Sequence, residues 1–112
     1  MDVKVFGRRS AVPETVRARA HSKIAKLGKL APVLEHAEVR LAEDRDAPAS
    51  SRHVCEVTME GHGHVLRARA GAPEPQVAVD LVVDKLEHQV ERLKGKLVGR
   101  SHPRKSRVLS KV

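Results

Sequence analysis

Aromatic side chains are almost absent from this chain of 112 residues: it has no tryptophan and no tyrosine, and Phe6 is its one phenylalanine. The interior must therefore be filled by valine, leucine, isoleucine and alanine. The chain also has no Phe, Tyr or Trp platform of the kind on which single-strand readers stack bases. Cysteine is scarce as well. Cys55 stands alone, so no internal disulfide can form, and a reducing compartment is the simpler expectation. No apolar run approaches the ~20 residues of a membrane span. The first ten residues, MDVKVFGRRS, lack the apolar stretch of a secretory signal. A cytoplasmic protein without membrane association is expected. Acids are outnumbered by bases, 14 to 22, which leaves a net charge of +8. Such an excess suggests a polyanionic partner, with nucleic acid the first candidate and an acidic membrane surface the second. Charge that only keeps the chain soluble is the plain alternative.

What is present reads as one domain with one modest core; 40% of the residues are hydrophobic. Asp2 to Phe6 alternates, with Val3 and Val5 on one side, and predicts a short strand. Gly7 to Val12 turns the chain, and Pro13 suits the first position of a helix. Val16, Ala20, Ile24, Leu27 and Ala31 then recur at helical steps, with the helix ending near Gly28 to Pro32. Ala37, Val39 and Leu41 alternate in a second strand. A polar loop from Glu43 to Ser51 leads to a third, His53 to Met59, with Cys55, Val57 and Met59 on one face. Glu60 to Gly63 is a glycine-rich hairpin connection, and Val65 to Ala70 is the fourth strand. Pro75 opens a long helix to about Val98, where Gly99 can end it. Residues 99–112 carry five lysines and arginines and no acid. They read as a basic disordered tail or linker beyond a domain of residues 1–98.

The order β-α-β-β-β-α predicts an α+β domain, a four-stranded sheet with both helices packed on one face. The first two strands, joined through a helix, are expected to be parallel neighbours. Arg40, Glu56, Thr58, Arg67 and Arg69 are expected on the open face of the sheet.

The charges of the helices are sorted. On the second helix, Val82, Leu86, Val90, Leu93 and Leu97 share an apolar sector. Lys85, His88, Arg92 and Lys96 fall in a narrow sector roughly 115° away, and Asp80, Asp84, Glu87 and Glu91 fall on the other flank. Sorted charges on a solvated helix often serve only i,i+4 pairing. Here the bases mostly follow one another at that spacing, which is mildly repulsive and better explained by an anionic partner. Arg19, Lys23 and Lys26 form a similar row on the first helix, whose span from Pro13 to Leu30 holds five bases and one acid. Two helices lying side by side could align these rows into one patch. Glu35, Glu38, Glu43, Asp44 and Asp46 gather elsewhere. With no aromatic platform, phosphate and sugar contacts to folded or double-stranded RNA fit best.

Several stretches together carry a family resemblance: DVKVFGR in the first strand, SKIAKLGKL in the first helix, the GHG hairpin, and AVDLVVDKLEHQVERLKGKL in the second helix. In their order and spacing they resemble the ribosome hibernation promoting factor and protein Y family, over about residues 1 to 98. The resemblance implies a β-α-β-β-β-α fold similar to double-stranded RNA-binding domains. It implies a non-enzymatic translation inhibitor that binds the small ribosomal subunit in its decoding channel, against 16S-type ribosomal RNA and neighbouring ribosomal proteins. There it would block the mRNA, tRNA and initiation-factor sites in stress or stationary phase. It also implies that the family's basic helix positions fall on Lys23, Lys26 and Lys29, then on Lys85, His88, Arg92 and Lys96. Ribosome dimerisation would need another factor or the C-terminal domain that long members carry after a linker. The chain departs from the family pattern at Glu74-Pro75-Gln76, where an acidic-Met-Tyr group is common, and at His88, where Arg or Lys is common.

Other chemistry is thinly supported. His53 and Cys55, and His62 with His64, are i,i+2 pairs on strands or a hairpin, and no second ligand pair completes a metal site. No phosphate-binding glycine loop or nucleophile elbow is present. No cofactor, small-molecule substrate or catalysis is expected. A general double-stranded RNA-binding module, and an adaptor for an acidic protein, are the competing readings.

Overall fold

Alternation of small apolar and polar side chains builds the sheet. The computed structural model describes the backbone of residues 1–8 and 12–101, and side chains as far as residue 97. Strand β1 (Asp2–Arg8) is followed by helix α1 (Glu14–Leu30), strand β2 (His36–Glu43), a 3-10 turn at Ala49–Ser51, strand β3 (His53–Gly61), strand β4 (His64–Ala72) and helix α2 (Pro75–Ser101). The sheet order is β1-β2-β3-β4. β1 runs parallel to β2, and the next two pairs are antiparallel. This is the expected α+β architecture.

Both helices cover one face. Val16, Ala20, Ile24 and Leu27 of α1, and Val79, Val82, Leu86 and Val90 of α2, are buried with Val39, Leu41, Cys55, Val57 and Met59 of the sheet. The core is aliphatic apart from two sulfur-bearing side chains. On the other face, Arg40, Glu56, Arg67 and Arg69 are exposed and Thr58 is half-buried, as their strand positions require.

The helices also guard the edges of the sheet. Unpaired edge carbonyls invite strand addition unless something covers them. Arg17 of α1 donates to the Val5 carbonyl of β1 at 2.7 Å. Lys85 and Gln89 of α2 donate to the Arg69 and Arg67 carbonyls of β4 at 2.6 and 2.7 Å.

Element ends differ from the sequence expectation in several places. Gly7 and Arg8 extend β1 because they pair with Leu41 and Ala42 of the long strand β2; the rest of the expected turn, residues 9–11, lies outside the described residues. Pro13 is the N-cap rather than the first helical residue. Its extended ψ of 143° leaves its carbonyl to accept the Arg17 amide at 3.0 Å. The hairpin connection shrinks to His62 and Gly63, with φ of 51° and 81°, and Gly61 pairs with His64. Two positive φ values in a two-residue loop match the twist of the flanking strands. Finally, α2 runs past Gly99 to Ser101, because glycine in a helix weakens it by only about 1 kcal/mol and does not by itself stop it. The rest of the expected tail, residues 102–112, lies outside the described residues.

Cys55 is fully buried at the centre of β3. Desolvation, helped by the neighbouring Glu56 carboxylate, pushes its thiol up to about 12. The folded protein should therefore resist a thiol reagent at pH 8 and react only on unfolding. Rapid labelling of the folded chain would show that the centre of the sheet opens readily. The folded value lies above the ordinary thiol value of about 8.5. The unfolded chain therefore holds fewer protons between these limits, and this contribution to stability falls as pH rises from about 8.5 towards 12.

Candidate nucleic-acid interface

The three-sided character of α2 survives in the folded protein. Val82, Leu86, Val90 and Leu93 are buried, whereas Lys85, His88, Arg92 and Lys96 are all exposed. The basic row lies on the flank of α2 that looks over the outer edge of β4. Lys85 is anchored there by its bond to the Arg69 carbonyl. The His88 ring places Nδ1 3.1 Å from the Asp84 carbonyl one turn earlier. Further along, Arg92, Leu93 and Lys96 face His64 and Leu66 across a shallow groove. Arg67 and Arg69 add their exposed side chains from the other side of the same strand. Positive charge thus wraps the β4 edge on both sides.

The α1 bases follow a different course. Arg19 grips Asp80 with a two-point fork, Nε to Oδ1 at 3.0 Å and Nη2 to Oδ2 at 2.9 Å. Lys23 stands 3.5 Å from the same carboxylate. The bonds from Arg19, reinforced by both positive charges, hold the Asp80 carboxyl below the usual carboxylate range, and the same carboxylate raises the Arg19 guanidinium. Asp80 belongs to the acidic flank of α2. Side by side, the helices could have merged the two basic rows; instead Asp80 of α2 meets Arg19 and Lys23 where the helices adjoin. The reason is electrostatic, because the flank of α2 that meets α1 carries the opposite sign. Lys26 and Lys29 lie further along α1, and Lys29 is exposed.

Because the folded Asp80 value is depressed, its contribution to stability is present above the unfolded value near 3.9 and is lost as pH falls through the folded one. Asp80→Asn should lower the melting temperature slightly at pH 7, since both partners are substantially exposed. The difference should vanish in acid. A gap that persists unchanged at low pH would contradict this origin.

Acids occupy the middle of the open sheet face. Glu38 pairs with Arg40 at 3.1 Å, and Glu56 and Glu60 lie in the same shallow depression. The sheet face is therefore mixed in sign except at its β4 end.

Sequence reading alone did not mark His64 and Gln89 as members of this surface, nor Asp80 as the partner of α1. For Gln89 a signal existed, because the helical wheel places it between the basic row and the apolar sector. The Asp80 pairing spans 61 residues and has no local signature.

The chain matches the sigma 54 modulation protein / S30EA ribosomal protein family over residues 3–98. It is 30% identical over 101 residues to a ribosome hibernation promotion factor from Picosynechococcus sp.. That alignment covers 89% of this chain and 52% of the relative, so the chain spans about half the length of the curated relative it matches. Among solved structures, the N-terminal domain of Thermus thermophilus protein Y is similar with a TM-score of 0.68 and 26% identity, over 83% of this chain and 99% of that one. A ribosomal subunit interface protein from Coxiella burnetii shares the fold, with a TM-score of 0.72, 16% identity, and coverage of 85% and 99%.

Proposed function

We propose a function that starts from family membership: the chain belongs to the sigma 54 modulation protein / S30EA ribosomal protein family. In this reading it is a cytoplasmic ribosome hibernation factor. It binds the small ribosomal subunit in the decoding channel and inhibits translation by occupying the mRNA, tRNA and initiation-factor sites under stress or in stationary phase. Residues 1–98 are the ribosome-binding domain, and the basic stretch beyond them is a tail or linker. Ribosome pairing would require another factor or a further domain.

The observation that carries the reading is the exposed row Lys85, His88, Arg92 and Lys96 along the β4 edge, joined by Arg67 and Arg69. A line of bases at helical spacing contacts successive phosphates, and acids are kept off that flank. Lys23, Lys26, Lys29 and Arg19 of α1 form a second contact, with Arg19 and Lys23 partly neutralised by Asp80. Such a protein works by occupancy, so no reaction is assigned to it. The Picosynechococcus relative, a ribosome hibernation promotion factor, agrees with this role.

A general double-stranded RNA-binding module would use the same bases without ribosome preference. Co-sedimentation with small subunits in the presence of a free RNA duplex separates the two. Binding that survives duplex competition supports the ribosome reading, and binding that the duplex removes supports the general one.

A further inference from the structure

The outer stripe of α2 begins before its bases. Steps of four, four, three, four and four set Val77 and Leu81 in one line with Lys85, His88, Arg92 and Lys96, within about 100° of the helix circumference. Val77 and Leu81 are 40% and 41% exposed. The core does not need them, because Ala78, Val79, Val82 and Val83 supply that end of the buried face. Among the described residues, the other large apolar side chains left exposed are Met1, Phe6, Leu30 and Val65, none of them on α2. Single exposed apolar residues are ordinary on a protein surface. Two of them stacked one turn apart, on a helix whose apolar face is already complete, form a contact surface.

Charge changes sign at the same point. Residues 74–84 carry three acids and no lysine or arginine. Asp80 is turned to α1, where Arg19 and Lys23 hold it. Glu74 and Asp84 are exposed. Glu74 stands three residues before Val77 and Asp84 three after Leu81, so a carboxylate flanks each end of the apolar pair. From Lys85 onward the line holds bases only. A phosphate backbone that follows Lys85 to Lys96 is therefore repelled at the N-terminal half. What fits there carries apolar side chains and positive charge. Proteins seated on RNA have that character, because they neutralise phosphates with lysine and arginine.

We propose that the outer stripe of α2 spans a boundary between RNA and protein. Its bases lie on phosphates, and Val77 and Leu81, between Glu74 and Asp84, dock a basic protein segment of the small subunit. The proposal rests on the ribosome-binding reading and deepens it by giving the protein partner a place. The segment sets an apolar side chain against the pair and a lysine or arginine against each carboxylate. Naked RNA offers neither, so this half of the stripe makes the assembled subunit the preferred target over its RNA.

The test compares purified small subunits with their rRNA stripped of protein, by co-sedimentation with the wild type and two variants. Val77→Ser with Leu81→Ser should bind subunits about tenfold more weakly, and the protein-free rRNA as tightly as the wild type does. Asp84→Lys should move the two affinities in opposite directions, weaker for subunits and tighter for rRNA. It removes a partner from the protein side and adds a base on the RNA side. All three side chains are exposed, so melting temperatures should stay near that of the wild type, and Asp84→Lys remains decisive if the serine pair fails to fold. Equal losses on subunits and rRNA, or wild-type affinity of the variants for subunits, overturn the proposal. So does a concentration-dependent dimer in sedimentation velocity that the serine pair abolishes, which would give the stripe to a second copy. A wild type that binds subunits but not their rRNA overturns the division of the stripe. Failure of the wild type to bind subunits at all overturns the ribosome reading beneath it.

Discussion

Gly61→Ala should destabilise the domain by about 3 kcal/mol or more, lowering its melting temperature by something on the order of 15 °C. A methyl group at Gly61 would overlap the Val33 carbonyl oxygen and sit 2.6 Å from the Glu35 amide nitrogen and 3.0 Å from the Leu34 Cα. All three are backbone atoms, so no side chain can swing aside. The connection from α1 to β2 is also tied in place. Glu35 donates its amide to the Glu60 carbonyl at 2.9 Å, and its own carbonyl accepts from Asp2 at 2.9 Å. Leu34 between them is only 2% exposed. Moving this connection would break the start of β1 and lift a core leucine together. His62 adds a further tie, with Nδ1 2.9 Å from the Val33 carbonyl. Gly95 is the internal control. A methyl there meets nothing within 4 Å, so Gly95→Ala should stabilise the exposed helix by roughly 0.5–1 kcal/mol. Thermal melts of the two variants should move in opposite directions; a Gly61→Ala melt like that of the wild type would mean that the connection relaxes freely.

Reversing charge in the row should separate binding from folding. Arg92→Glu with Lys96→Glu is expected to weaken small-subunit binding by on the order of 100-fold or more, since a hydrogen bond to a charged group contributes about 1.5–3 kcal/mol. Both side chains are exposed and stand on the solvent side of α2, so the melting temperature should stay near that of the wild type. Lys85 is a poorer choice for this test despite lying in the same row. Its ammonium covers the Arg69 carbonyl at the sheet edge, and Lys85→Glu would disturb that edge as well as any RNA contact. The neutral pair Arg92→Gln and Lys96→Gln should reduce the slope of log affinity against log salt by about two, one for each phosphate neutralised. Filter binding or sedimentation at several salt concentrations reads this directly. An unchanged slope would take these two side chains off the phosphate backbone.

Period and punctuation made most of the fold legible. Alternation through Ala37-Val39-Leu41 and Cys55-Val57-Met59 marked strands with the correct buried face, and the steps from Val16 to Ala31 marked the buried face of α1. Where a local signal competed with a tertiary one, the tertiary one prevailed. Gly99 reads as a stop, yet α2 continues through it to Ser101. Gly7 reads as a turn, yet pairing with β2 keeps it in a strand. The basic row of α2 was visible because helical geometry alone collects it. The relation of that row to α1 was not visible, since which flank of α2 meets α1 depends on packing against the sheet. Packing puts Asp80, not Lys85, beside Arg19.

Ribosome occupancy is tested most directly by co-sedimentation of the chain with purified small ribosomal subunits, with excess free RNA duplex as competitor and tRNA binding followed in parallel. Saturable one-to-one binding that resists the duplex and displaces tRNA is the expected result. Binding without defined stoichiometry that the duplex removes would contradict it, and would leave a basic RNA-binding domain that shares only the family's fold.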